Sequence, residues 1–387
     1  MKKILLLILL SVLLIAEQNQ TEELSFFDKE DGKLDLSEYL STAYGFLPVP
    51  IVITEPAVGY GAGLSLVYLH DNFTGQKLDS GRVVPASMSG AFYMKTENGT
   101  NMGGAFHVGY YFEDNLRTIS FVGIIDININ TYVYPNDKPV SLSSNIEGPI
   151  IYQALKVRVL DTNLFLGGAY MYSAIDTAFD KIPSNFDSSS RNASLDLILE
   201  YDARNSTLSP TSGYFINLKS NFFREEVGSD KNFEKYIVNG FFYVPVNDTL
   251  NINFKLTAES IGGEEAPFYS YPFVTLRGLP SMQVQGEHTL SSELELCWEF
   301  SSRWEALVFG GVGKAFGQNQ FANTPIANLP TAGDTTSFSE AKNEYTKGIG
   351  FRYLIAKKFG LKMGIDIASS EYDNAVYLQM GSAWAGF

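Results

Sequence analysis

The chain has 387 residues, 28 Lys and Arg against 43 Asp and Glu, and a formal net charge of −15. So acidic a chain, with no basic cluster beyond pairs such as Lys357-Lys358, is repelled by polyanions, which excludes nucleic acid as a partner. A single cysteine, Cys297, excludes an intrachain disulfide framework.

At the N-terminus Lys2 and Lys3 precede an apolar run, Ile4 to Ile15, broken only by Ser11 and followed by Ala16 and the polar Glu17-Gln18-Asn19-Gln20. That order predicts a cleaved signal peptide over 1–16, since the run falls short of the roughly 20 apolar residues a spanning helix needs. No later stretch is as long and apolar, so a membrane location would use strands. Residues 17–56 read as a periplasmic lead-in. Phe26 to Asp35 looks like a calcium loop, but with Gly32 in sixth place Phe27 and Lys29 would fill the first and third ligand positions, so no metal site is expected there. Leu36 to Leu40 fits a short helix, and Pro48 and Pro50 favour extended chain.

From Ala57 to Phe387 the sequence alternates apolar with small or polar residues. Val58, Tyr60, Ala62, Leu64, Leu66 and Tyr68 share one face of the first burst, with Gly59, Gly61, Gly63 and Ser65 on the other. Ile125, Ile127, Ile129, Thr131 and Val133 interleave with Asp126, Asn128 and Asn130; Leu294, Leu296, Trp298 and Phe300 with Glu293, Glu295, Cys297 and Glu299; Met363, Ile365 and Ile367 with Lys362, Gly364, Asp366 and Ala368. A period of two is a strand between two environments. Behind a secretory signal these are lipid outside and water inside, which predicts an all-β fold, a transmembrane antiparallel β-barrel over 57–387. At about 20 residues per strand and its turn this gives about 16 strands, within 14–18. Short turns are expected at Pro210 to Gly213 and Val246 to Asp248, and longer outer loops at Tyr134–Glu147, Thr177–Asn192, Glu225–Lys235, Gly262–Glu287 and Gln318–Glu344. A soluble secreted β-sandwich would show the same alternation, with the polar face in solvent.

Several segments together resemble the bacterial surface antigen family, the BamA/TamA-like superfamily of outer-membrane barrels. They are Phe46 to Gly63, Tyr201-Asp202-Ala203-Arg204-Asn205 with Ser209-Pro210-Thr211-Ser212-Gly213-Tyr214, Leu276-Arg277-Gly278-Leu279-Pro280, Val308 to Gly313, Gly348 to Tyr353 and Tyr377 to Trp384. The resemblance implies residence in the outer membrane of a Gram-negative bacterium and a role in outer-membrane assembly or in passage of protein or lipid. It implies that the loop carrying Arg277, Gly278 and Leu279 folds into the barrel as a plug, with Arg277 meeting lumen carboxylates, for which Glu293, Glu295 and Glu299 are the candidates. It also implies that Gln379, Gly381, Trp384 and Phe387 form the barrel-assembly signal. Two positions depart from the family pattern: Leu279 is not aromatic, and Gly311 stands where many members have Asp. Family members that insert or secrete proteins carry periplasmic polypeptide-binding domains, for which these 387 residues leave no room. The implied partners are outer-membrane lipid, the barrel-assembly machinery during biogenesis and a separate periplasmic protein.

Signals for chemistry are poor. His70, His107 and His288 are far apart and outside metal-ligand spacing, and neither a Gly-x-Ser-x-Gly elbow nor a phosphate loop is present. No enzyme and no cofactor is expected. The alternatives are a small-solute, cation-preferring porin with an acidic lumen and an outer-membrane hydrolase with a Ser-His-Asn site on barrel strands.

Overall fold

The computed structural model describes residues 25–42, 45–71, 76–77, 83–134, 139–180, 188–263, 266–321 and 335–384. The segment 1–16 expected to be a signal peptide, and Phe387, lie outside the described residues.

Sixteen strands make the wall. They are β1 (Gly45–Ile53), β2 (Gly61–Leu69), β3 (Met88–Thr96), β4 (Asn101–Tyr111), β5 (Leu116–Val133), β6 (Val140–Arg158), β7 (Leu164–Phe179) and β8 (Ser188–Asp202). Then come β9 (Gly213–Phe223), β10 (Phe233–Pro245), β11 (Leu250–Gly262), β12 (His288–Ser301), β13 (Trp304–Gln318), β14 (Glu344–Ala356), β15 (Leu361–Ser369) and β16 (Asn374–Met380). Each pairs antiparallel with its sequence neighbour, from β1 with β2 to β15 with β16. Among the described residues the ring is not fully sealed: β1 has a ladder only to β2 and β16 only to β15, leaving one unpaired seam.

The outer face is an apolar belt. Leu64, Leu66, Ile124, Leu197, Leu294, Leu296, Ile365 and Ile367 are all exposed, as strands facing hydrocarbon require. The first strand lies inside the segment 17–56, so the barrel begins at Gly45 and not at Ala57.

β5 and β6, of 18 and 19 residues, are longer than a bilayer needs, and the connection expected over Tyr134–Glu147 is strand from Val140 onward. Here the expected facing is reversed. Ile125, Val133 and Thr131 point inward and are buried, while Asp126, Asn128 and Asn130 share the opposite face, where Asn145 donates to Asp126 Oδ1 at 2.7 Å and Ser143 to Asn130 Oδ1 at 2.6 Å. Above the lipid belt the exterior is water, and the interior at that height is filled by apolar side chains of a loop.

The lead-in is docked. Helix α1 (Ser37–Thr42) sits at the short-turn end, where Leu40 packs with Ala356 and Leu361. The acidic loop before it holds a guanidinium: Arg303, in the β12–β13 turn, lies 3.0, 2.7 and 2.5 Å from carboxylate oxygens of Asp28, Asp31 and Asp35. The Arg303 hydrogen bond, set against a smaller desolvation cost, holds the Asp31 carboxyl down at about 2.

Candidate functional site

The loop between β11 and β12 enters the barrel as a hairpin. Its limbs bond each other, Val274 N to Val284 O at 3.0 Å and Gly286 N to Pro272 O at 3.2 Å. At its tip Gly278 has φ +91°, and its position against Ala368 and Ser369 leaves a Cβ only 3.0 Å from each, so glycine is required by both backbone and space. Leu279 is buried with Val274 and Leu276. On the far side Phe268 and Met282 pack into Ile125, Val133, Leu142, Ile146 and Ile175 of β5–β7, and Tyr134 Oη donates to Gln283 O at 2.8 Å. The loop therefore spans the lumen from wall to wall.

Arg277 is the anchor. Its Nη2 lies 2.7 Å from both Glu293 Oε1 and Glu295 Oε2, and its Nη1 2.7 Å from Asp366 Oδ2. The guanidinium stacks on Phe309, 3.6 Å from the ring centroid. Arg352 donates twice to Asp366, at 2.6 and 2.9 Å. A buried guanidinium is tolerable only with its donors met in this way. Glu299 is not in the group: it lies at the other end of β12, half-exposed, and accepts from Lys362 at 2.7 Å. Asp366 takes the third place. It was visible as the one acid on the alternation of β15, but nothing in the sequence brings it 89 residues back to Arg277.

The C-terminal residues turn inward after β16. Gly381, at φ +78°, gives its N–H to Lys362 O, and Ser382 gives its own to Leu208 O. Trp384 then packs on Phe215, Phe241 and Tyr243 inside the barrel, and its Nε1 donates to Glu293 Oε1 at 2.9 Å. Trp384 thus joins the Arg277 group and is not part of the closing strand. Gln379 stays on β16 opposite Gly364.

The Asp202-Ala-Arg204-Asn205 segment builds a second network at the short-turn end. Asp202 accepts from Arg204 Nε at 2.9 Å and Arg117 Nη1 at 3.1 Å. Arg117 also reaches Asp114 and Glu200, and Lys156 pairs with Glu200 at 2.7 Å. Asn205 Oδ1 accepts from Thr211 N and Ser212 N, closing the Pro210–Gly213 turn. Cys297 is buried and donates to Glu295 Oε1 at 3.2 Å.

Two histidines meet although 37 residues separate them in sequence: Ser89 Oγ lies 2.8 Å from His70 Nε2 and from His107 Nδ1, and His107 Nε2 lies 2.6 Å from Tyr111 Oη. The third partner is a phenol and not the carboxylate of a hydrolytic triad, and the group shares the outward face of exposed Tyr93. His288 lies on another sector, 2.8 Å from Ser260 Oγ.

The tip of the lumen loop also spans the seam. Gly278 N donates to Tyr377 Oη of β16 at 3.0 Å, and Ser281 N donates to Glu55 Oε1, just beyond β1, at 2.9 Å.

Fold and site together define a transmembrane β-barrel closed by an inward loop and left unzipped between its first and last strands. Residues 95–271, just under half of the chain, match the Omp85 superfamily domain, and the wall that contains them is a 16-strand outer-membrane barrel of BamA/CdiB-like fold. Among solved structures it is similar to BamA from Haemophilus ducreyi lacking POTRA domains 1–3 (TM-score 0.58, 16% identity, 88% of this chain and 70% of that one). It is similar also to CdiB from Escherichia coli (0.54, 11%, 86% and 61%) and CdiB from Acinetobacter baumannii (0.53, 8%, 87% and 59%). The chain thus spans about three fifths of either CdiB. No curated protein matches it.

Proposed function

We propose that the protein is a lateral-passage barrel: an amphipathic molecule, protein or lipid, moves between the barrel interior and the outer membrane through the β1–β16 seam, and the lumen loop is the gate. The observation that carries this is the pair of contacts from one loop tip to both seam edges, Gly278 to Tyr377 and Ser281 to Glu55. With no ladder across the seam, these side-chain bonds hold the edges, and each is worth only about 1 kcal/mol. Arg277, Gly278 and Leu279 fix the plug. A porin is disfavoured because the loop and the buried ion pairs occupy the lumen. The protein is not an enzyme; its barrel chemistry is that of a conduit. Gln379, Gly381, Trp384 and Phe387 serve during biogenesis as the signal to the barrel-assembly machinery, and a separate periplasmic protein meets the short-turn end.

The test is a cysteine pair across the seam, Val52→Cys with Val376→Cys in a Cys297→Ser chain. Oxidised, it is expected to reproduce the deletion phenotype in cells, and reduction is expected to reverse it. Full complementation by the oxidised protein refutes lateral passage.

A further inference from the structure

Resting on that seam route, we infer that the molecule admitted is a lipid, whose acyl chains lie on the inner wall of β1–β4 as far as Phe121 of β5, and that the seam does not take up a polypeptide strand.

The backbone of β1 carries the second half. Its ladder to β2 runs from Gly45↔Leu69 to Ile53↔Gly61, with Pro48 opposite Leu66 and Pro50 opposite Leu64. Proline has no N–H, so Leu47, Val49 and Ile51 carry the bonds to β2 and both proline nitrogens face the seam. The seam edge therefore offers carbonyls at Phe46, Pro48, Pro50 and Val52 but donors only at its two ends. Strand addition needs alternating donors and acceptors along an edge. An incoming strand would leave two of its own carbonyls unmet in hydrocarbon, where each costs several kcal/mol.

The side chains carry the first half. The inward faces of β12–β15 bear Glu293, Glu295, Arg352 and Asp366, all buried. From β1 to β4 no inward-facing residue is charged. β1 turns Leu47, Val49 and Ile51 inward and Phe46 and Val52 outward, so it is apolar on both faces. Beyond it Met88 and Met94 face the interior, half-buried, and Met102 packs where the wall meets the lumen loop. Phe92 lies 6.5 Å from Phe106 and 6.2 Å from Phe121, ring centre to ring centre, as one aromatic ribbon across β3, β4 and β5. Water in a lumen gains nothing from such a wall. Methionine and phenylalanine beside an unzipped edge make an adaptable apolar surface that an acyl chain entering from the bilayer can cover.

The whole protein, reconstituted in phosphatidylethanolamine and phosphatidylglycerol vesicles with an alkyne-tagged phosphatidylethanolamine, carries photoreactive benzoylphenylalanine in place of inward Phe92 or outward Tyr93. Tagged lipid is expected on both. Met94→Glu, and separately Pro48→Val with Pro50→Val, which gives the edge its donors back, are expected to cost the Phe92 adduct and leave the Tyr93 adduct, the latter certifying a folded, inserted barrel. Lipid on Tyr93 but not on Phe92 overturns the inference, as does a polypeptide adduct at Phe92 when the same protein is irradiated in cells. If the Phe92 adduct survives oxidation of the Val52→Cys and Val376→Cys pair, the lateral route fails while the acyl-lined wall stands. If that pair abolishes the cellular role but Phe92 never takes lipid, the route stands and the lipid assignment falls.

Discussion

Replacing Arg277 tests the anchor of the lumen loop. Two cations, Arg277 and Arg352, face three carboxylates, Glu293, Glu295 and Asp366, and all are buried or nearly so. Arg277→Ala leaves the Arg352 guanidinium alone against the three carboxylates, with Lys255 opposite Glu293 across the β11–β12 ladder, and removes the stack on Phe309. Breaking a buried ion pair by deleting one partner costs about 3–5 kcal/mol, because the remaining charge is stranded. With a urea slope of about 2–3 kcal/mol per M, the unfolding midpoint should fall by roughly 1–2 M. The readout is the folded fraction by heat-modifiable gel mobility across a urea series. Arg277→Lys keeps the charge but not the three-way fork, and should cost less, about 1.5–3 kcal/mol, the worth of one charge-assisted hydrogen bond. Adding Glu295→Gln to Arg277→Ala removes one stranded charge and should recover part of the loss, a coupling that a double-mutant cycle measures. An Arg277→Ala midpoint equal to the parent's, or no recovery in the double variant, refutes the view that these charges hold the loop.

Deleting Ser281 to Gly286 removes the return limb of the loop and should raise single-channel conductance in planar bilayers; an unchanged trace counts against a plug. Glu55→Ala with Tyr377→Phe removes both seam contacts, about 2 kcal/mol together, and should speed amide exchange in Gly45–Ile53 while β12 stays protected; equal protection would mean that something else holds the seam. The Asp31 carboxyl is held down at about 2 by Arg303, below its usual value near 4. Its support for the docked lead-in is therefore complete above about pH 4 and lost as pH falls through 2. Pepsin should nick residues 25–42 increasingly over that window, and Arg303→Met should make nicking insensitive to pH; a lead-in equally resistant at pH 4 and pH 2 contradicts the assignment.

Much of the wall was legible because strand physics is local. Leu294, Leu296 and Trp298 against Glu293, Glu295 and Cys297 give both the period and, in this case, the correct faces. At Ile125 to Val133 the same pattern pointed the wrong way. Alternation says that two faces differ, not which medium each meets, and these residues stand above the lipid belt against Phe268 and Met282. Of the lumen acids expected to meet Arg277, Glu299 sits at the wrong height on β12 and pairs with Lys362, whereas Asp366 arrives from a strand three positions around the wall. Trp384, which the resemblance places in the assembly signal, is buried beside Glu293.

The sequence by itself determined that this chain forms alternating two-faced strands, roughly how many, and that its motifs resemble those of BamA/TamA-like barrels, since period, turn residues and motif order are properties of neighbours along the chain. Only the tertiary structure decided that the first and last strands stay apart, that one loop tip touches both, and that Pro48 and Pro50 turn their nitrogens to the gap. Those facts depend on register around a closed wall and on charges that meet across the lumen, where separation in sequence carries no information about distance.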